Sequence, residues 1–261
     1  MEAGRSLIRR VAMAGALALG AFAVLVAVEL ALLGRREFLP SDPGYMVDAR
    51  VEPRAAASGD PPLRLAVLGD STVAGVGSPS EVESLPFLIA ERVAEATGRP
   101  VHVTGFGVSG ARTATLTSEQ LPWVGSAFDV VVLVIGSNDA THATRPSDLR
   151  RQTRDMLERA TSLGVPVVLA GTPRFSGAEA IPEPLRTMVD GYSGILRREQ
   201  RAAVDAVPGS RFVDLAAEAS PRFAGVPEAF SSDGFHPSPV GYGFWADAIS
   251  PAVAAALAEG G

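Results

Sequence analysis

Asp129-Val130-Val131-Val132-Leu133-Val134-Ile135, followed at once by Gly136-Ser137-Asn138-Asp139, is the stretch on which the reading of the fold turns. From Val130 to Ile135 it is an unbroken apolar run, almost entirely β-branched, and it stops at a glycine. A run of this kind lacks the alternation of a half-exposed strand. It fits a strand buried on both faces in the middle of a parallel sheet. Working outward, Leu63–Leu68 is a similar run ending at Gly69, and Val101–Thr104 is a shorter one. Val165–Ala170 follows, its Pro166 acceptable at a strand start, and Arg211–Leu215 is the last. Helical spacing fills the gaps: Ser84–Thr97 places Leu85, Ile89, Val93 and Ala96 on one face, and Asp148–Leu163, Pro184–Val207 and Val240–Ala258 read the same way. Pro251 is expected to kink the last of these. The alternation predicts an α/β, doubly wound, flavodoxin-like three-layer sandwich with a five-stranded parallel sheet. Ligands of such sheets bind beyond the carboxyl ends of the strands, so the residues after each strand carry the functional information.

Ahead of the sheet lies a different kind of segment. Val11–Leu33 is apolar except for Glu29, with Arg5, Arg9 and Arg10 before it and Arg35 and Arg36 after it, partly offset by Glu37. As a helix it would be roughly 35 Å long at about 1.5 Å per residue, enough to cross a hydrocarbon core of about 30 Å. The basic flank predicts a cytoplasmic N-terminus and an extracytoplasmic body. A retained signal-anchor is the first reading. A cleaved signal peptide, which would leave the body secreted, is the second, although the run is long for that role and its small-x-small triplets lie inside it. A buried core helix is the third. Residues 34–62, rich in Pro, Gly, Ser and Arg, read as a flexible linker. The expected organisation is residues 1–33 as a transmembrane segment, 34–62 as linker and 63–261 as the functional domain.

Composition removes whole classes of chemistry. With no cysteine, thiol catalysis, Cys-ligated zinc and iron–sulfur chemistry are excluded. All 23 basic residues are arginine, so Schiff-base chemistry and a phosphate-binding P-loop lysine are excluded as well. The formal net charge of −6 argues against a nucleic-acid partner. No cofactor or metal is implied. Any imidazole mechanism must use His102, His142 or His236, and Asn138 is the single asparagine. His102 reads as a strand residue, and His142 could line a cleft. Trp123, Phe175, Phe230 and Trp245 read as core.

Four short motifs fall where the fold places function. Gly69-Asp70-Ser71-Thr72 with Gly75 follows the first strand. Gly105-Phe106-Gly107-Val108-Ser109-Gly110 follows the second, Gly136-Ser137-Asn138-Asp139 the third, and Asp233-Gly234-Phe235-His236-Pro237-Ser238 precedes the last helix. Each alone is ordinary turn chemistry. Together, at one rim of a sheet, they supply a hydroxyl, an imidazole, a carboxylate and amide donors, the components of acyl transfer through a covalent intermediate. In this order and spacing the motifs resemble the SGNH (GDSL-type) hydrolase family of esterases and lipases, over residues 63 to about 258.

The resemblance implies Ser71 as nucleophile, His236 as base and Asp233 as the carboxylate that orients it. It implies an oxyanion hole from the backbone N–H groups of Ser71 and Gly110 and the side-chain amide of Asn138. The second motif departs from the family in lacking an asparagine at its start, where Gly105 and Phe106 stand. It further implies a small-molecule, lipid or glycan ester as substrate and no cofactor, while the apolar N-terminal run predicts membrane association through its helix. Loops 172–182 and 216–232 would wall the pocket. Rival readings are an acyltransferase to a glycan hydroxyl and a non-catalytic domain of the same fold. A third is a nucleotide-binding domain, since Gly105-x-Gly107-x-x-Gly110 formally matches a pyrophosphate fingerprint.

Overall fold

The computed structural model describes residues 2–54 and 59–260. In chain order its elements are α1 (Glu2–Leu33), β1 (Asp48–Val51), β2 (Leu63–Gly69), α2 (Ser71–Ala74), α3 (Leu85–Thr97), β3 (Val101–Gly107), α4 (Thr113–Thr115), β4 (Val130–Val134), α5 (Ser137–Thr141), α6 (Pro146–Thr161), β5 (Val167–Ala170), α7 (Leu185–Asp205), β6 (Ser210–Val213), α8 (Leu215–Glu218) and α9 (Pro239–Gly260). The strands form one sheet in the order β1-β3-β2-β4-β5-β6. Pairings β2–β3, β2–β4, β4–β5 and β5–β6 are parallel, and β1 pairs with β3 antiparallel.

Every residue of β4 is buried, and successive side chains enter opposite cores. Val130, Val132 and Val134 join the cluster under α3 and α9, with Ile89, Val93, Trp245 and Ile249. Val131, Leu133 and Ile135 join the cluster under α6 and α7, with Met156, Leu157 and Val204. Burying each such side chain stabilises the fold by about 1.5–3 kcal/mol relative to leaving it in water, which explains why the run contains no polar residue.

The expected five-stranded parallel sheet is corrected to a six-stranded mixed one. The added strand, β1, lies inside the stretch 34–62 read as a linker. It is four residues long, Asp48-Ala49-Arg50-Val51, and only Val51 is buried. A short, charged edge strand has no apolar run to betray it, and its charges suit a sheet edge. α9 runs continuously through Pro251.

The strand order reverses beside β2, which has β3 on one side and β4 on the other. Their carboxyl ends open a crevice at this switch point. The loops after β2, β3 and β4 all meet there.

Candidate active site

The chain turns sharply where β2 ends. Asp70 caps α2, its Oδ1 accepting from Thr72 N at 3.0 Å and Thr72 Oγ1 at 2.8 Å. The cap presents Ser71 as the first residue of α2, half-buried at the rim. Burial pushes the Asp70 carboxyl above the ordinary carboxylate range, against the hydrogen bonds from Thr72. Gln120 fixes the turn from below: its amide accepts from Gly69 N at 3.0 Å and donates to Gly69 O at 2.9 Å.

The loop before α9 brings His236 to this point from far along the chain. Asp233 Oδ1 accepts from the backbone N–H of Phe235 and His236 at 2.9 and 3.0 Å. Asp233 Oδ2 stands 2.7 Å from His236 Nδ1. With a proton on Nδ1, His236 Nε2 is left as an acceptor, and Ser71 Oγ lies 3.1 Å from it. Burial alone would raise the Asp233 carboxyl, but the hydrogen bonds from the His236 side chain and from the N–H groups of Phe235 and His236 outweigh it. They bring Asp233 from 3.8 to about 2. Asp233 therefore stays ionised at neutral pH and holds the imidazole in one tautomer.

Asn138, in α5, shares the pocket with Ser71 and His236. Its Nδ2 donates to Ala111 O at 3.1 Å, so the amide is held against the residue next to Gly110. Gly110 has φ +80°, a conformation that suits glycine. Gly107 sits so close to α2 that a Cβ there would come within 2.0 Å of Ala74 N. Gly107 and Gly110 of the apparent pyrophosphate fingerprint are thus accounted for by packing and turn geometry. The loops after β3 and β4 are tied together by Asp139, fully buried. It accepts from Thr113 N and Thr113 Oγ1, both at 2.9 Å, and from Thr144 Oγ1 at 3.0 Å.

Beside the Ser71–His236 pair lies a cavity of about 200 Å³. Loops 172–182 and 216–232 supply much of its wall, including Pro173, Phe175, Ala178, Phe223 and Phe230, and Trp245 of α9 closes one side. Phe175, Phe230 and Trp245, read from sequence as core, therefore line this cavity, whereas Trp123 is 75% exposed. His102 instead pairs with Asp48 at the sheet edge, 2.9 Å away. His142 is exposed, and its Nδ1 donates to Asn138 O at 2.9 Å, bracing the Asn138 turn. Gln120 has no signal in the sequence, because its partner Gly69 lies 51 residues away.

A hydroxyl within hydrogen-bond reach of a carboxylate-oriented imidazole, at the switch point of a doubly wound sheet, is an arrangement found in hydrolases. Residues 67–244 match the GDSL-like Lipase/Acylhydrolase family, and the chain belongs to that family. Its members act on ester bonds, and the resemblance read from the motifs is borne out. Among proteins of this kind, the chain is 33% identical over 200 residues to the GDSL-like esterase Rv1075c of Mycobacterium tuberculosis. The match covers 76% of this chain and 63% of that relative. The crystal structure of the lipase Lip_vut3 from a goat rumen metagenome superposes with a TM-score of 0.60 at 20% identity, over 74% of this chain and 98% of that one. That of TesA superposes with a TM-score of 0.59 at 22% identity, over 73% and 97%. At these identities the likeness is one of fold.

Proposed function

We propose that the protein is a serine esterase that hydrolyses carboxylic esters, lipid esters or O-acetyl groups, through an acyl-enzyme on Ser71. The observation that carries the reading is the hydrogen-bonded chain Ser71 Oγ–His236 Nε2, His236 Nδ1–Asp233 Oδ2. His236 takes the Ser71 proton as Oγ attacks the ester carbonyl. Asp233 stabilises the imidazolium that forms and is not itself protonated. The proton then passes to the leaving alkoxide. A water molecule, deprotonated by the same imidazole, releases the acid and restores Ser71.

The tetrahedral oxyanion is assigned to the N–H groups of Ser71 and Gly110 and to the Asn138 amide. One such donor is worth about 2.7–4 kcal/mol in the transition state. The aromatic cavity beside Ser71 is assigned to the acyl group. At about 200 Å³ it exceeds the roughly 150 Å³ that admits benzene and falls short of the roughly 300 Å³ at which drug-sized pockets begin, so short acyl groups fit best.

The proposed organisation is an anchor at residues 1–33 and a catalytic domain at 63–261 to whose sheet the segment 34–62 adds β1. Ala12–Leu33 has a mean hydropathy of 2.5 and is exposed apart from the face of Val26, Glu29 and Leu33 at its end, which supports a membrane-embedded role for the rest. Arg9 and Arg10 support a cytoplasmic N-terminus and an extracytoplasmic domain that meets its ester there. The test is a panel of p-nitrophenyl esters of increasing acyl length with parent and Ser71→Ala chains. Turnover of the shorter esters, lost in the variant by about 10⁴-fold or more, is expected. Equal turnover by the two chains contradicts the reading.

A further inference from the structure

The N-terminal segment does more than lead into the domain. It crosses the candidate active site. At the end of α1, Val26 and Leu33 pack against the apolar cluster that contains Phe175, Ile181 and Leu185, and Glu29 between them is 5% exposed. Glu29 Oε2 accepts from Leu185 N, the first N–H of α7, at 3.0 Å. The spacing 26, 29, 33 puts the three on one helical face. The outer end of the apolar helix is therefore seated on the domain, beside the wall of the acyl cavity that Phe175 provides.

From there residues 36–41 run over the two loops on which the proposed chemistry depends. Arg36 Nη2 donates to Asp233 O at 3.0 Å. The Phe38 ring meets the Phe235 ring edge-on at 5.5 Å, and Phe235 stands edge-on to the His236 ring at 5.1 Å. Leu39 N donates to Asp233 Oδ2 at 3.3 Å, the same oxygen that accepts the hydrogen bond from His236 Nδ1. Ser109 Oγ, one residue before Gly110, donates to Ser41 O. These residues lie outside the family match, which begins at residue 67.

We propose that residues 36–41 form a positioning strap for the active site: they fix the Asp233–His236 loop against the Gly110 loop and link both to the seated end of α1. This rests on the esterase reading. The strap residues touch no reacting atom. They act through Asp233, Phe235 and Ser109. A backbone donor on Asp233 Oδ2 and a ring on Phe235 restrict the imidazole to the angle from which Nε2 meets Ser71 Oγ, and small losses of such alignment weigh on the chemical step more than on binding.

The experiment uses the full chain in detergent and compares steady-state ester turnover, rate of fluorophosphonate labelling and melting temperature. Leu39→Pro removes the N–H, whereas Leu39→Ala keeps it. Phe38→Ala removes the ring, whereas Phe38→Tyr keeps it. Arg35→Ala is the control on the same segment. The proline and Phe38→Ala chains are expected to lose kcat by about tenfold, and up to about 100-fold, with KM within about twofold of the parent. Their labelling should slow in step, at an unchanged melting temperature. Leu39→Ala, Phe38→Tyr and Arg35→Ala are expected to stay near the parent. Leu39→Pro equal to Leu39→Ala, together with Phe38→Ala equal to Phe38→Tyr, overturns the strap. So does a loss confined to KM, or one that only tracks a fall in melting temperature. An inert, unlabelled parent overturns the esterase reading and the strap together; an active parent with indifferent variants overturns the strap alone.

Discussion

Asn138 shows how one residue serves both architecture and chemistry. Its side chain is tied to Ala111 O, and its backbone carbonyl takes the His142 ring, so the amide faces the pocket from a braced turn. If the amide serves the oxyanion, Asn138→Ala will lower kcat by about 10²–10³-fold with little change in KM, because the donor acts on charge that exists only in the transition state. Steady-state kinetics on a short ester decides it, and an effect confined to KM assigns Asn138 to ordinary substrate binding. At this scale the candidate site was largely legible in the sequence. Rare residue types made it so: one asparagine and three histidines left few ways to assemble the motifs. What escaped were groups that act through backbone atoms or across long chain distances. Leu39 contributes an N–H and Arg36 meets a carbonyl, and neither function has a residue-type signature.

The elements divide in the same physical way. β2 and β4 read clearly because, Arg64 apart, every position is buried and apolar or small. β1 did not, because an edge strand of four residues with one buried side chain carries no such demand. Phe175 and Trp245, expected in the core, are buried there and also line the cavity. An apolar cavity wall and a protein interior select the same side chains, and only coordinates separate them. The contact of α2 with β3 yields a prediction at this scale. Gly107→Ala would set a methyl group against Ala74 N at 2.0 Å, a backbone atom that cannot swing aside. Overpacking of this kind costs about 1–3 kcal/mol, and it would displace the turn that carries Ser71. A urea titration is expected to show a reduced midpoint with an unchanged slope, alongside reduced turnover. A midpoint equal to the parent's would show that the two elements do not meet so closely.

For the whole molecule, the carboxylates link the site to acid stability. The folded Asp233 lies at about 2 against 3.8 for its ordinary value. A depressed carboxyl contributes stability above its unfolded value, and that contribution is lost as pH falls from 3.8 towards 2. It amounts to about 2 kcal/mol. Asp70, raised by burial, has the opposite sign: its contribution is present at low pH and lost as pH rises. Asp233→Asn should therefore flatten the decline in melting temperature between pH 4 and pH 2. A decline in the variant as steep as in the parent would remove Asp233 from the account of acid stability.

One measurement goes straight to the catalytic claim: mass-spectrometric location of a fluorophosphonate adduct on the full chain. The relay from Asp233 through His236 predicts a single adduct on Ser71, formed in proportion to the loss of esterase activity and nearly abolished in His236→Ala. An enzyme that cleaves esters while its adduct forms on another residue, or that labels Ser71 equally fast without His236, contradicts it.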